Sequence, residues 1–589
     1  MPDMEAYAKG FSSVTSEVSF RQCEPSVGKI PSDLCGTYFR NGPAMFTAGS
    51  IPPMGFSAVN PKEKPVADGV DMSRMVSHPF EGDGAIVGIT FHEGDENACS
   101  LRYKYVKTTG FEKERKKGKK LYSGMESTRS DPSVSSNHPA NDYPLPLYRH
   151  HLQSGLNKNR KNTSNTRTVF WANRLMSLWE GGLPYKMDSL ALQTEGKSQL
   201  GGVLEEAAPF SGKGTLDSNQ NRMLFYSNEQ DVESSLLTIY EFDESFKLIG
   251  DKFDQRKCKL PGLAVMNDFA VTDKYSIFVQ PKTETNSAFP FMMSKDPSKL
   301  LNLQQQYPST IHLIPRLGFD GMSMKSFEIP VDTEGCTDID LHFCNAYMDE
   351  DIIIFDAIRS DTSNIKSSFN KWPWITTLEE YSSSVSRKSL WRYRVNTIDG
   401  KVEKEPLFTD YSCAFGTVNP AVSSKKHKYI YANVGAISNK ASPPQGIAKF
   451  NCESKTVERW MPEAYQFAGE PMFTSRKKTQ ESVDEDDGYI ISLLFDGKSN
   501  ESELLIFDAK DIEGGPITRV PLGLSIAHGL FGCFASDGDA CCSSEELERR
   551  SKLADKMEKK GNRWNEVKSD FSGLGLRLDD FDEYFGDFL

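Results

Sequence analysis

The groups best able to do chemistry in this chain of 589 residues are its nine histidines. Two stand apart. His342 lies in DLHFCNAYMD and His528 in IAHGLFGCF, each among apolar residues near the end of an expected strand. A buried imidazole needs a partner, and it serves either as a hydrogen-bonded structural group or as a metal ligand. The residues alone favour the structural role. His150 and His151 fall in a polar stretch expected to face solvent. His78, His92, His138, His312 and His427 have no ligand-type neighbour at a useful spacing, so each is expected at the surface or satisfied by hydrogen bonds. Local catalytic signatures are absent: no Walker A loop, GxSxG elbow, HExxH or nucleotide GxGxxG occurs. The eleven cysteines are scattered without a CxxC pair. An odd, dispersed set is a poor disulfide framework, so the thiols are expected to be small buried hydrophobes in a reducing compartment.

Such groups must be positioned by strands. Short β-branched and aromatic runs recur at 223–226, 236–242, 275–279, 352–355, 429–434, 489–495 and 504–507, separated by Gly, Asp, Asn and Ser. The last two flank DGKSNESE and predict a hairpin with a longer loop. No long helical period alternates with them, which argues against a parallel βαβ sheet. Many antiparallel strands in one long chain must deal with sheet edges, and radial repetition in a propeller is one solution. Two segments resemble insertions: the polar stretch 126–166, and 282–308 with SAFPFMMSKDPSKLLNL. The latter is expected either to pack on the core or to guard an apolar tunnel or dip into a membrane. In the tail, Ser543 and Glu546 form a capping box, Leu547, Leu553 and Met557 make a narrow stripe, and Gly561 is placed to stop the helix. LDDFDEYFGDFL ends the chain, as a docked terminus or a partner-binding segment.

Charge excludes one class of partner. With 69 Lys and Arg against 82 Asp and Glu the net charge is -13, the wrong sign for a nucleic-acid binder. No apolar run reaches the ~18 residues that span a bilayer. The opening MPDMEAYAKG lacks a basic region followed by an apolar one, so the expected location is cytoplasmic or peripheral to a membrane.

Several separated blocks, in order, resemble the carotenoid cleavage oxygenase family. They are GTYFRNGPAMF (36–46), HPFEGDGAIVGITF (78–91), LRYKYVKTTGFEKERKKGKKL (101–121), NTSNTRTVFWANRLMSLWEGGLPY (162–185), and GEPMF with EDDGYIISLLFD (469–473, 485–496). The resemblance implies an all-β fold: a seven-bladed β-propeller over 21–536, capped by a dome of loops and short helices. Residues 1–20 form an N-terminal arm and 537–589 a helical acidic tail. It also implies an axial Fe(II) held by four histidines, three glutamates that orient three of those imidazoles, and an apolar tunnel carrying a polyene whose double bond oxygen cleaves.

This chain departs from that pattern. PFSGKGTLD places Lys213 at the first ligand position, and MNDFAVTDKYSIF places Asn267 at the second. His342 and His528 match the third and fourth. Glu180 and Glu470 match two of the orienting carboxylates, while Ala414 stands at the third. No histidine occurs from 152 to 311, so realignment restores neither missing ligand. An ammonium must lose its proton before it can coordinate a metal, and an amide oxygen is a weak donor for iron. The metal expectation is therefore none or a weakly bound ion on His342 and His528, with Fe(II) only if the family activity is kept. Asp268 adjoins Asn267 but is expected on the opposite face. Lys213 is expected either to form a buried ion pair with Glu180 or, desolvated and with a lowered pKa, to serve as a base or carbonyl nucleophile. The expected function is action on a polyene, apocarotenoid or terpenoid by non-oxidative acid–base chemistry: isomerisation, epoxide opening or hydration. Lys213, Asn267, His342, His528 and Glu180 would carry it. The alternatives are an iron-dependent dioxygenase, and a carotenoid carrier or sensor acting through the tail.

Overall fold

The computed structural model of the protein describes residues 1–573. Excepted are 15, 48–75, 77–78, 119–120, 123–160, 206–207, 231–233, 254, 263, 265, 267, 282–307, 332–338, 362–376 and 477–483, and the side chains of 339, 340, 384 and 561–573. Asn267, His78, His138, His150, His151, the cluster SAFPFMMSKDPSKLLNL and the terminal LDDFDEYFGDFL lie outside the described residues.

Seven antiparallel sheets follow one another along the chain and form a seven-bladed β-propeller. Its inner strands, in order, are Arg167–Trp171, Thr215–Asp217, Ala270–Val271, Ile339–Asp349, Tyr411–Thr417, Gln466–Ala468 with Met472–Ser475, and Gly532–Ala535. They lead blades one to seven. The seventh blade closes the ring, because its inner strand comes from near the C-terminus while its other four come from the first hundred or so residues. There Thr37 faces Ala535 and Arg40 faces Gly532 in an antiparallel ladder. A circular array has no free edge at its seam, so this ladder removes the edge problem posed by so many strands.

Burial explains the strand composition. Gly488–Asp496 is buried along nearly its whole length, because both faces of a middle strand pack on neighbouring blades. Its register with Glu501–Asp508 runs to Asp496 opposite Glu501. The predicted hairpin therefore has a four-residue loop, shorter than DGKSNESE suggested, with Asn500 at φ 57°. Amide side chains tolerate that left-handed backbone better than most residues.

Buried ion pairs fasten blades to each other. Arg316 donates from Nη1 to Asp217 Oδ2 at 2.5 Å, and from Nε and Nη2 to the two oxygens of Glu241 at 3.1 and 2.7 Å. All three side chains are at most 1% exposed.

The tail departs from expectation in two ways. Glu546 N–H donates to Ser543 Oγ at 3.3 Å, as a cap should. The helix Ser544–Gly573 nevertheless runs through Gly561; one glycine in a helix interior costs only about 1 kcal/mol and does not end it. Leu547 is buried, but Leu553 and Met557 are 46% and 50% exposed. The helix docks instead through charge: Asp555 pairs with Lys104 at 3.3 Å, and Glu558 pairs with Lys107. No helix among the described residues is long and apolar enough to cross a membrane.

Candidate functional site

Lys213 is brought to the propeller axis by the loop entering the second blade. Its Nζ lies 2.5 and 2.7 Å from the two carboxylate oxygens of Asp268, and 3.3 Å from the Phe343 carbonyl. Asp268 Oδ2 also accepts from Phe343 N–H at 3.0 Å, and Oδ1 from Phe269 N–H at 2.7 Å. The side chains are 18% and 4% exposed. One ion pair thus joins the inner segments of blades two, three and four. This corrects the expectation that Asp268 faces away. Strand alternation does not govern it, because the inner strand of blade three begins only at Ala270, and an irregular segment can turn its carboxylate inward. The partner expected for Lys213 was Glu180; the pair that forms is with Asp268. Glu180 lies in the turn after Arg174–Leu178 with an exposed side chain, packed so close to Gly212 that a Cβ there would stand 2.7 Å from its Cγ. Burial pulls the Lys213 ammonium below its ordinary range, with Asp268 opposing.

Aromatic rings line the same axis. The His342 and Phe531 rings are 6.4 Å apart, and Phe415 meets Phe531 edge-on at 5.2 Å. Phe415 has φ 54°, a costly backbone for a bulky residue, of order 1–3 kcal/mol. The Tyr411–Thr417 ladder is irregular between Ala414 and Thr417, which accommodates that turn. The Arg167 guanidinium packs over Phe531 with Cζ 4.5 Å from the ring centroid. Lys213, Arg167, His342, Phe415 and Phe531 are each partly exposed, so they border accessible space. Glu470 is buried and accepts from Gly532 N–H at 2.7 Å. Burial raises its carboxyl, with Arg167, Arg40 and Lys213 opposing.

His528 occupies a different environment. Its imidazole is enclosed by the rings of Tyr7, Phe11, Phe467 and Phe495 at 4.7, 4.8, 5.9 and 5.2 Å. Its Nε2 donates to the Tyr7 carbonyl at 3.1 Å, and its backbone N–H donates to Gly10 O at 2.8 Å. The N-terminal helix Met4–Lys9 and the residues after it therefore hold this ring. Gly10 permits the approach, since a Cβ there would fall 2.2 Å from Nε2. Burial lowers the imidazole to about 3.

These residues do not fit a four-imidazole iron centre. Lys213 and Asp268 neutralise each other, so the first position offers an ammonium rather than a neutral donor. Among the described residues, the only three metal-type ligand atoms that converge are those of Asp356, His427 and Cys452, all buried. That trio is committed to protein contacts. Asp356 receives two 2.7 Å bonds from Arg392, His427 Nε2–H donates to Asp356 at 2.8 Å, and His427 Nδ1 meets the Asn345 amide at 3.0 Å. Both ring nitrogens are engaged, which leaves no imidazole lone pair for a cation. His92 and His312 are satisfied too, by Cys542 O and Ser100, and by Ser326 and Gln280. Sequence reasoning missed Arg167, Phe415 and Phe531, although Arg167 lies in the block 162–185 and Phe531 in IAHGLFGCF. Asp268 was visible beside Asn267, yet its direction was not.

The family described as retinal pigment epithelial membrane protein matches residues 11–536. The chain is 30% identical to apocarotenoid-15,15'-oxygenase of Synechocystis sp., over 90% of this chain and 96% of that protein. It is 25% identical to a probable chloroplastic carotenoid cleavage dioxygenase 4 of Arabidopsis thaliana, over 90% and 80%. The crystal structure of cobalt-substituted Synechocystis apocarotenoid oxygenase superposes with a TM-score of 0.73 at 27% identity, covering 91% of this chain and 99% of that one.

Proposed function

The chain belongs to the retinal pigment epithelial membrane protein family, that of the carotenoid oxygenases, and from that premise we propose that it takes a lipophilic polyene, apocarotenoid or terpenoid onto the propeller axis and transforms it by non-oxidative acid–base chemistry. One observation carries the reading: the Lys213–Asp268 pair occupies the axis at a position where the family resemblance calls for a metal ligand. A buried ammonium held by a carboxylate, with its proton loosened by burial, is a proton donor facing an apolar ligand. For an epoxide, the C–O bond breaks as the oxygen takes the Nζ proton. The allylic cation then loses a proton to the His342 imidazole, which precedes Phe343 on the adjoining inner strand. The product is an isomer of the substrate, and solvent returns the transferred proton from His342 to Lys213. Asp268 keeps the ammonium in place throughout.

A second reading retains oxidative cleavage, and the names of the relatives favour it. Turnover of epoxidised and hydroxylated carotenoids and apocarotenoids, without oxygen and with chelator, separates these possibilities. Products of unchanged or water-added mass support acid–base chemistry. Shortened aldehydes formed only with oxygen overturn it, and tight pigment binding without turnover identifies a carrier.

A further inference from the structure

Arg167 is used by neither reading above. It opens the inner strand of blade one, and its backbone is fixed from three sides: paired with Leu178, bridged to Phe531, and accepting at its carbonyl from Asn41 Nδ2 at 3.2 Å. Its side chain is held differently. The guanidinium packs over the face of Phe531, and its Nε is buried without a hydrogen-bond partner among the described residues. Compare Arg316 and Arg392, whose forks close on carboxylates. An unsatisfied buried donor is destabilising, more so when charged.

Among the described residues no carboxylate is hydrogen-bonded to Arg167, although it is the first of the charges that act on buried Glu470. Asp268 is bound at both oxygens by Lys213. Glu470 accepts from Gly532 N–H, and the field on it is divided among Arg167, Arg40 and Lys213. Glu180, in the turn of the same blade, packs against Gly212 and is exposed. A guanidinium stacked on an aromatic face retains an N–H edge suited to a two-oxygen anion. The adjoining surface, Phe531, Phe415 and the His342 ring, suits a conjugated chain.

We propose that Arg167 is the head-group site for a polyene that carries a carboxylate at one end. The ligand class is an acidic apocarotenoid: a linear conjugated chain packed on Phe415 and Phe531, its carboxylate forked by Arg167. This inference rests on the reading that the axis binds a polyene. It goes further in assigning the charge of the terminus and the residue that selects it.

The test is tryptophan-fluorescence titration of the full chain with an apocarotenoic acid and with its methyl ester, which has the same chain and no charge. The wild-type protein is expected to bind the acid about tenfold more tightly than the ester. Arg167→Met should abolish that preference while ester affinity is retained. Arg167→Lys should restore part of it, since the charge returns without the fork. Melting curves of both variants establish that they fold. Equal wild-type affinity for acid and ester overturns the head-group assignment and leaves the polyene reading standing. An acid preference that survives in folded Arg167→Met also overturns it. Binding of neither probe defeats the polyene reading itself, and this inference with it.

Discussion

Removing one member of the axial ion pair should harm the protein more than removing both. In Asp268→Asn the ammonium of Lys213 stays at the junction of three blades without its counter-charge. Breaking a buried pair from one side costs about 3–5 kcal/mol, and the 18% exposure of Lys213 places the expectation near the lower end, about 3 kcal/mol. Lys213→Met is gentler, because Asp268 keeps the N–H groups of Phe269 and Phe343; two backbone donors to a carboxylate reduce the loss to about 2 kcal/mol. The double variant removes both charges, but its amide can accept only one of the two backbone N–H groups, so it should lose about 1–2 kcal/mol, well below the sum of the single losses. The assay is equilibrium urea denaturation followed by tryptophan fluorescence, read as a double-mutant cycle. If the double variant loses the sum of the single losses, the two groups are not coupled and the staple is refuted. An unchanged Asp268→Asn refutes it too.

Three further outcomes are expected. Arg316→Met leaves buried Asp217 without its counter-charge and Glu241 with Arg222 alone, and should cost about 3 kcal/mol, measured as a fall in the denaturation midpoint. His312 is 3% exposed, and burial lowers its imidazole from 6.5 to about 4. The unfolded chain therefore binds the proton first, so stability is fully present above about pH 6.5 and falls as the pH drops toward 4, by about 3 kcal/mol. His312→Gln should flatten that part of the pH–stability curve relative to wild type. Finally, the C-terminal helix is docked by Lys104–Asp555 and Lys107–Glu558. Charge reversal at Asp555 and Glu558, or salt near 1 M where the screening length is ~3 Å, should speed amide hydrogen exchange in that helix and leave the blades protected.

Much of the fold was legible in the chain. Strand runs such as 223–226 and 275–279 fall inside Arg222–Gln230 and Tyr275–Gln280, because β-branched and aromatic residues suit a surface buried between blades. The separated family blocks specified the propeller, since their order fixes which strands must meet. That 213 is a lysine and 267 an asparagine could also be read directly, being a matter of residue identity. Direction could not. Asp268 turns inward because it precedes its strand, where no alternation applies. The His528 ring is enclosed by Tyr7 and Phe11, more than 500 positions away in the chain. Arg167 meets Phe531 only because the propeller closes on itself. Residue type is a local property, whereas the partner of a charge or a ring depends on which distant segments ring closure brings within a few ångströms.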